Sequence, residues 1–165
     1  MKRLLKKLLT FIYTLYAKYS LGNFKTKVKV NGFTRLSKNT TLGENVNFNG
    51  LIIQGNGKCH FGNNFHSGPN CKIITINHNY DGGSKIPYDE TYIIKDVFIH
   101  ANVWLGADVT ILGGTTIGEG AIIQAGSVVV KDIPKYAIAG GHPAKVFSQR
   151  DINHYEKLKH EERFH

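Results

Sequence analysis

The side chains of this chain that can exchange a proton near neutral pH are eight histidines: His60, His66, His78, His100, His142, His154, His160 and His165. A neutral imidazole, with an ordinary pKa of about 6.5, can take the proton of an attacking hydroxyl and return it to a leaving group. The other nucleophile to weigh is cysteine, present only as Cys59 and Cys71 and without a Cys-x-x-Cys spacing. Two isolated thiols make neither a disulfide framework nor a structural zinc site; they fit small buried residues in a reducing, cytoplasmic setting. His154, His160 and His165 fall in a polar tail, and His142 stands in the run Gly140-Gly141-His142-Pro143. The remaining four lie in the aliphatic body of the chain, so their use depends on the elements that carry them.

That body repeats with a period of six: Ile93, Ile99, Leu105, Ile111, Ile117, Ile123 and Val129 recur without a miss. Val103, Val109, Thr115, Ala121 and Ser127 each follow a member by four residues. A helix returns to one face every 3.6 residues and a strand every two, whereas a strict step of six means a short strand plus a turn. Upstream, Leu36, Leu42 and Phe48 keep the step, and Phe61, Ser67 and Ile73 resume it in a shifted register. Segment 49–60, with Gly50, Gly55 and Gly57, must absorb the shift. Segment 77–92, polar and holding Pro87, interrupts the repeat again and is predicted to protrude as a loop with His78 at its start. Stacked units of this kind form a parallel β-helix in which each coil buries its neighbour. His60 and His78 are then one nominal coil apart, a spacing open to a metal, but the loop offers no third histidine.

The most specific block is Asn102-Val103-Trp104-Leu105-Gly106, followed by the further repeats and then by Ala125-Gly126-Ser127, Lys131-Asp132-Ile133-Pro134 and Gly140-Gly141-His142-Pro143-Ala144-Lys145. In this the chain resembles the hexapeptide-repeat acyltransferases, in the branch of maltose, galactoside and capsular polysaccharide O-acetyltransferases. The resemblance spans roughly residues 30 to 143. It implies an all-β fold, a left-handed parallel β-helix, with handedness taken from the resemblance because ordinary crossovers are right-handed. The expected division is a basic amphipathic helix over 1–22, the β-helix over 23–143 with its loop at 77–92, and a C-terminal helical tail over 144–165.

The resemblance also implies acetyl-CoA as co-substrate, held in a groove between adjacent subunits of a homotrimer, with a loop histidine as catalytic base and no metal. His78 matches that histidine. Direct transfer needs no acyl-enzyme, so neither cysteine is required. A backbone N–H near Gly106 and Ala107 is the family-like donor to the oxyanion. Asn70 matches an asparagine of the acceptor pocket, and equally suits a turn; Tyr80 and Asp81 could orient His78 or a sugar. For the cofactor the matching positions are Ala107, Ala125, Val130, Lys131 and Lys145. Relatives often carry Thr at the position of Val130 and Arg at those of Lys145 and Ser148, which leaves Arg150 as a substitute cation. Trp104 reads as a packing and interface residue.

The net charge of +9 is local: residues 1–43 hold ten basic and no acidic residues, and the rest hold eleven basic and twelve acidic. A nucleic-acid binder would spread its cations over the folded surface, so none is expected as a partner. Leu4, Leu5, Leu8, Leu9, Phe11, Ile12, Leu15, Tyr16 and Tyr19 recur at helical spacing among Lys2, Arg3, Lys6, Lys7 and Lys18. Such a helix suits the surface of an anionic membrane, at the inner face for a cytoplasmic protein, and equally suits packing on the main body or an oligomer interface. A signal peptide fits less well, because Leu8–Ala17 is short and holds three hydroxyl groups.

The function implied is acetyl-CoA-dependent O-acetylation of a sugar hydroxyl in surface polysaccharide biosynthesis. The loop sequence His78-Asn79-Tyr80-Asp81, without proline after the histidine, points to capsule and exopolysaccharide enzymes within the branch. An N-acyltransferase acting on an amino sugar needs the same base beside a thioester and is the alternative. A non-enzymatic β-helix scaffold is the alternative of another class.

Overall fold

The computed structural model describes residues 2–22 and 27–165; residue 1 and residues 23–26, beside the expected boundary at 22, lie outside them. Short parallel strands stack into three faces. The long face holds β1 (Lys29–Val30), β3 (Asn47–Phe48), β6 (His66–Ser67), β11 (Trp104–Leu105), β14 (Ile122–Ile123), β16 (Ala137–Gly141) and β17 (Ala144–Gln149). The second holds β2 (Thr40–Leu42), β5 (Cys59–Phe61), β10 (Val97–Ile99) and β13 (Thr116–Ile117). The third holds β4 (Leu51–Gln54), β7 (Cys71–Ile74), β12 (Thr110–Leu112) and β15 (Val128–Val129). A hairpin of β8 (Ile76–His78) and β9 (Tyr92–Ile94) leaves the stack between β7 and β10.

The hexapeptide step is the geometry of these coils. Ile99 aligns with Phe61 and Ile117, Leu105 with Ser67 and Ile123, and Ile111 with Ile73 and Val129; all are buried, and all but Ser67 belong to one continuous apolar core. Segment 49–60 contributes β4 and a wider turn holding Gly55 and Gly57. Ile93, the first member of the periodic run, does not reach the core. It sits half-buried on β9, where the hairpin leaves the stack, and the inward position of that coil passes to Val97 and Ile99.

The turns also stack. Asn70, Asp108 and Gly126 have φ of 58°, 59° and 72°, and Asn45, Asn64 and Asn102 have φ of 52°, 57° and 60°. Asparagine tolerates this left-handed region better than other residues with a Cβ. The second column also bonds to itself: the Asn45 amide donates to Asn64 Oδ1 at 3.0 Å and the Asn64 amide to Asn102 Oδ1 at 2.9 Å. Asn102 then donates to the Tyr155 hydroxyl at 2.7 Å, which ties the column to α2 (Ile152–His160). The tail before this helix is not helical. Residues 144–149 form β17, antiparallel to β16: the chain turns back between Gly141 and Ala144, and the β-prone Val146 and Phe147 follow. Asp151 starts α2 by accepting from the His154 N–H at 2.9 Å.

At the other end, α1 (Lys2–Leu21) stops at Gly22, whose φ is 71°. Ala17 and Leu21 are buried on the first coil, and the Leu36 N–H donates to Ser20 Oγ at 3.0 Å. Among the described residues no helix is long and apolar enough to cross a membrane.

Candidate active site

The residues singled out for chemistry fall on the two edges of the third face. In register with Thr110 and Val128 are Lys72 on one side and, two residues earlier, the turn positions 70, 108 and 126. Asn70, Ala107 and Ala125 therefore share the edge where strands enter the face. The backbone ladder runs through them: Asp108 N–H donates to the Pro69 carbonyl at 2.9 Å and Gly126 N–H to the Ala107 carbonyl at 2.8 Å. Glycine is required in the coil below each alanine, because a Cβ on Gly68 would lie 2.6 Å from Ala107 N and one on Gly106 2.5 Å from Ala125 N. Ala125 and Asn70 are exposed, so this edge offers a smooth strip of backbone and small side chains. Lys145 lies near its end, on β17 opposite Gly140, and the Gly141 N–H beside it donates to Ser127 Oγ at 3.1 Å.

His78, Tyr80, Val130 and Lys131 lie at the opposite edge, where strands leave the face. Four residues of extended strand, about 13 Å, separate position 70 from position 74 even before the hairpin begins. A cleft of 230 Å³ opens there, bordered by Thr75, Asn77, Tyr80, Lys95, Gly113 and Val130. His78 stands between two of these residues at the end of β8. Its imidazole is bracketed by aromatic rings: Tyr88 stacks on it at 3.6 Å between centroids with planes 16° apart, and Tyr92 lies 4.9 Å away at 34°. Nδ1 is shielded from solvent and has no hydrogen-bond partner. Tyr80 and Asp81 are exposed.

The loop that brings Tyr88 onto His78 is tied by Asp89. Its carboxylate accepts from Ser84 N–H at 2.7 Å, Ser84 Oγ at 3.1 Å, Thr91 N–H at 2.9 Å and Thr91 Oγ1 at 2.5 Å. These bonds, the Thr91 hydroxyl first, hold its pKa well below the ordinary carboxylate range. Asp89, Tyr88 and Tyr92 carry no periodic or motif signal. Only the Asp-x-Thr spacing, suited to an Asx turn, could have marked the first of them in the sequence.

The other candidates separate clearly. Burial pushes the Cys59 thiol up to about 12 and the Cys71 thiol up to about 11, so neither supplies a thiolate. Arg150 is committed elsewhere: its Nε donates to the Gly120 carbonyl at 2.6 Å and its guanidinium lies over Tyr155. His60 Nδ1 is 2.9 Å from Thr41 Oγ1. A larger cavity of 580 Å³ lies between α2 and the long face, lined by His66, Asn102, Arg150, Tyr155 and Lys159, with none of His78, Ala107, Ala125, Val130, Lys131 and Lys145 on its walls. Among the described residues no three His, Cys, Asp or Glu side chains form a group able to hold a metal.

The bacterial transferase hexapeptide family (six repeats) matches residues 96–131. A Saccharomyces cerevisiae protein named as a candidate acetyltransferase is 38% identical over 109 residues, 66% of this chain and 55% of that protein. A maltose O-acetyltransferase from Clostridium difficile 630 is 32% identical with a TM-score of 0.63, the match covering 76% of this chain and 65% of the other. A hexapeptide-repeat-containing acetyltransferase from Vibrio cholerae O1 biovar eltor, solved with acetyl coenzyme A, is 27% identical with a TM-score of 0.62 over 70% of this chain and 63% of the other. Residues 96–131 thus carry bacterial transferase hexapeptide repeats, and the proteins this chain is similar to are acetyltransferases. The chain spans 40% and 55% of the length of two curated relatives it matches.

Proposed function

We propose that this protein transfers the acetyl group of acetyl-CoA to a sugar hydroxyl, in a site completed between adjacent subunits of a trimer of left-handed β-helices. The observation that carries the proposal is the division of the site residues between opposite edges of one face. One edge offers His78 in its aromatic bracket, and the other offers the strip of half-buried Ala107 and exposed Ala125 with Lys145. A three-fold assembly that sets one edge against the other's counterpart joins both halves in each groove.

The pantetheine arm lies along Ala107 and Ala125, whose small side chains let it approach backbone, and Lys131 and Lys145 meet phosphate. His78 removes the proton of the acceptor hydroxyl as its oxygen attacks the thioester carbonyl. The backbone N–H of Ala107, between the ladder-bonded N–H groups of Gly106 and Asp108, takes the developing oxyanion. On collapse the C–S bond breaks, and the imidazolium returns the proton to the CoA thiolate. Asn70 and Tyr80 bind the acceptor, with Asp81 at its rim. The acceptor is a glycan of surface polysaccharide assembly, the reading that the His78-Asn79-Tyr80-Asp81 loop favours.

The test is thiol release from acetyl-CoA against a panel of mono- and oligosaccharides, with the product treated with hydroxylamine. An acceptor-dependent thiol signal and a hydroxylamine-labile ester are expected, and His78→Ala should lower kcat by about 100-fold or more. An amide product would replace O-transfer by N-transfer, and near-normal turnover of His78→Ala would remove the base assignment.

A further inference from the structure

Helix α1 faces the body of the protein with the wrong side for a packing helix. At about 100° per residue, Leu4, Leu5, Leu8, Leu9, Phe11, Ile12, Leu15, Tyr16 and Tyr19 fill one continuous arc of about 160°. All nine are exposed, from 38% for Leu9 and Tyr16 to 75% for Leu4. The contacts that hold α1 come from the other side of the helix: Ala17 and Leu21 are buried, Ser20 accepts from Leu36 N–H, and Tyr13 meets the edge of Phe33 at 6.3 Å. At the margin of the apolar arc Tyr16 stacks on Phe33 at 5.2 Å. The β-helix thus fixes the helix through its small and polar side and turns the apolar arc outward.

Charge identifies what covers the arc. Lys7 and Lys18 border it, Arg3 and Lys6 lie further round the helix, and no acidic residue occurs before Glu44. A second copy of α1 laid against the first would add a second set of cations with no acidic residue to pair with either. An anionic phospholipid surface satisfies both features, since headgroup phosphates meet the cations while the arc enters the acyl boundary. Lys2–Leu21 is not long and apolar enough to cross the membrane, so the helix lies in the plane of the surface.

We infer that α1 is an interfacial membrane anchor, docked to the first coil by its Ala17–Leu21 side and applied to an anionic leaflet by its Leu4–Tyr19 arc. The inference is independent of the reaction assigned above, and its test needs no substrate. The full chain is mixed with vesicles of phosphatidylcholine alone or with 30% phosphatidylglycerol and separated by flotation. Binding is expected only with the anionic vesicles and should weaken as salt rises. One surface cation changes partitioning about fivefold, so Lys6→Gln with Lys7→Gln should lower it roughly 30-fold. Leu8→Ser with Ile12→Ser, at exposed positions, should abolish it while leaving the circular dichroism of the β-helix and the sedimentation coefficient unchanged. The anchor is overturned if the intact protein fails to float with anionic vesicles at low salt. It is also overturned if the Leu8→Ser, Ile12→Ser variant sediments as a smaller species, because the arc would then be an interface between copies.

Discussion

Replacing Tyr88 by alanine removes the ring that stacks on His78 at 3.6 Å and 16°. Stacked aromatic pairs contribute about 0.5–1.5 kcal/mol beyond their buried area, a factor of about 2 to 13 in the population of the held conformer. Tyr88 is 46% exposed, which places this pair in the lower half of that range. Tyr92 still contacts the imidazole from 4.9 Å, so the ring keeps part of its support. The expected result is a fall in kcat of about two- to fivefold for Tyr88→Ala, and near wild-type turnover for Tyr88→Phe, which keeps the stacking face. Turnover is read as thiol release at saturating acetyl-CoA and acceptor. The reasoning fails if Tyr88→Ala turns over normally. It fails equally if Tyr88→Phe loses as much as Tyr88→Ala, because the phenolic hydroxyl and not the stack would then be at work.

Ile111, fully buried between its register partners Ile73 and Val129, should cost about 2–5 kcal/mol when cut to alanine, measured by denaturant titration at fixed protein concentration. Lys131→Ala and Lys145→Ala should each raise the KM for acetyl-CoA with little change in kcat, and the difference from wild type should shrink in high salt; unchanged CoA binding by calorimetry would move the phosphate site elsewhere. Asp89 has a depressed pKa in the folded loop, so its stabilisation is fully present above the unfolded value of about 3.9 and is lost as pH falls through the lower folded value. Hydrogen-exchange protection of the Ser84 and Thr91 amides should therefore persist to about pH 4 and fall below it, and Asp89→Asn should show weak protection at both ends.

The three-faced stack could be read from the sequence because its core positions obey a rigid count. Every coil must return an aliphatic residue to the same column, and Ile99 to Val129 do so at six-residue steps. Ile93 obeys the same count but lies on the hairpin, since periodicity cannot tell a core column from a strand that happens to keep phase. The tail from 144 was expected to be helical and first forms β17, a pairing set by the turn at Gly141–Ala144 and by a partner strand distant from any local signal. His78 was legible through its place after the third-face strand. The rings that hold it were not, because Tyr88 and Tyr92 reach it only once Asp89 has folded the loop back. The orientation of α1 was hidden for a similar reason: an amphipathic pattern names an apolar side, and the docking through Ala17 and Leu21 decides where that side points.

The central claim is that the two edges of the third face complete one site only when contributed by neighbouring copies. Two inactive variants test it: His78→Ala, which lacks the base, and Ala125→Trp, which fills the exposed strip on the opposite edge. Each is assayed alone, and the two are then unfolded together, mixed in equal amounts and refolded. In a randomly mixed three-fold assembly about one groove in four receives an intact His78 edge from one subunit and an intact Ala125 edge from the next. Acetyl transfer should therefore return to about a quarter of the wild-type rate. A mixture no more active than its parents, with trimers shown to exchange subunits, would contradict the shared site.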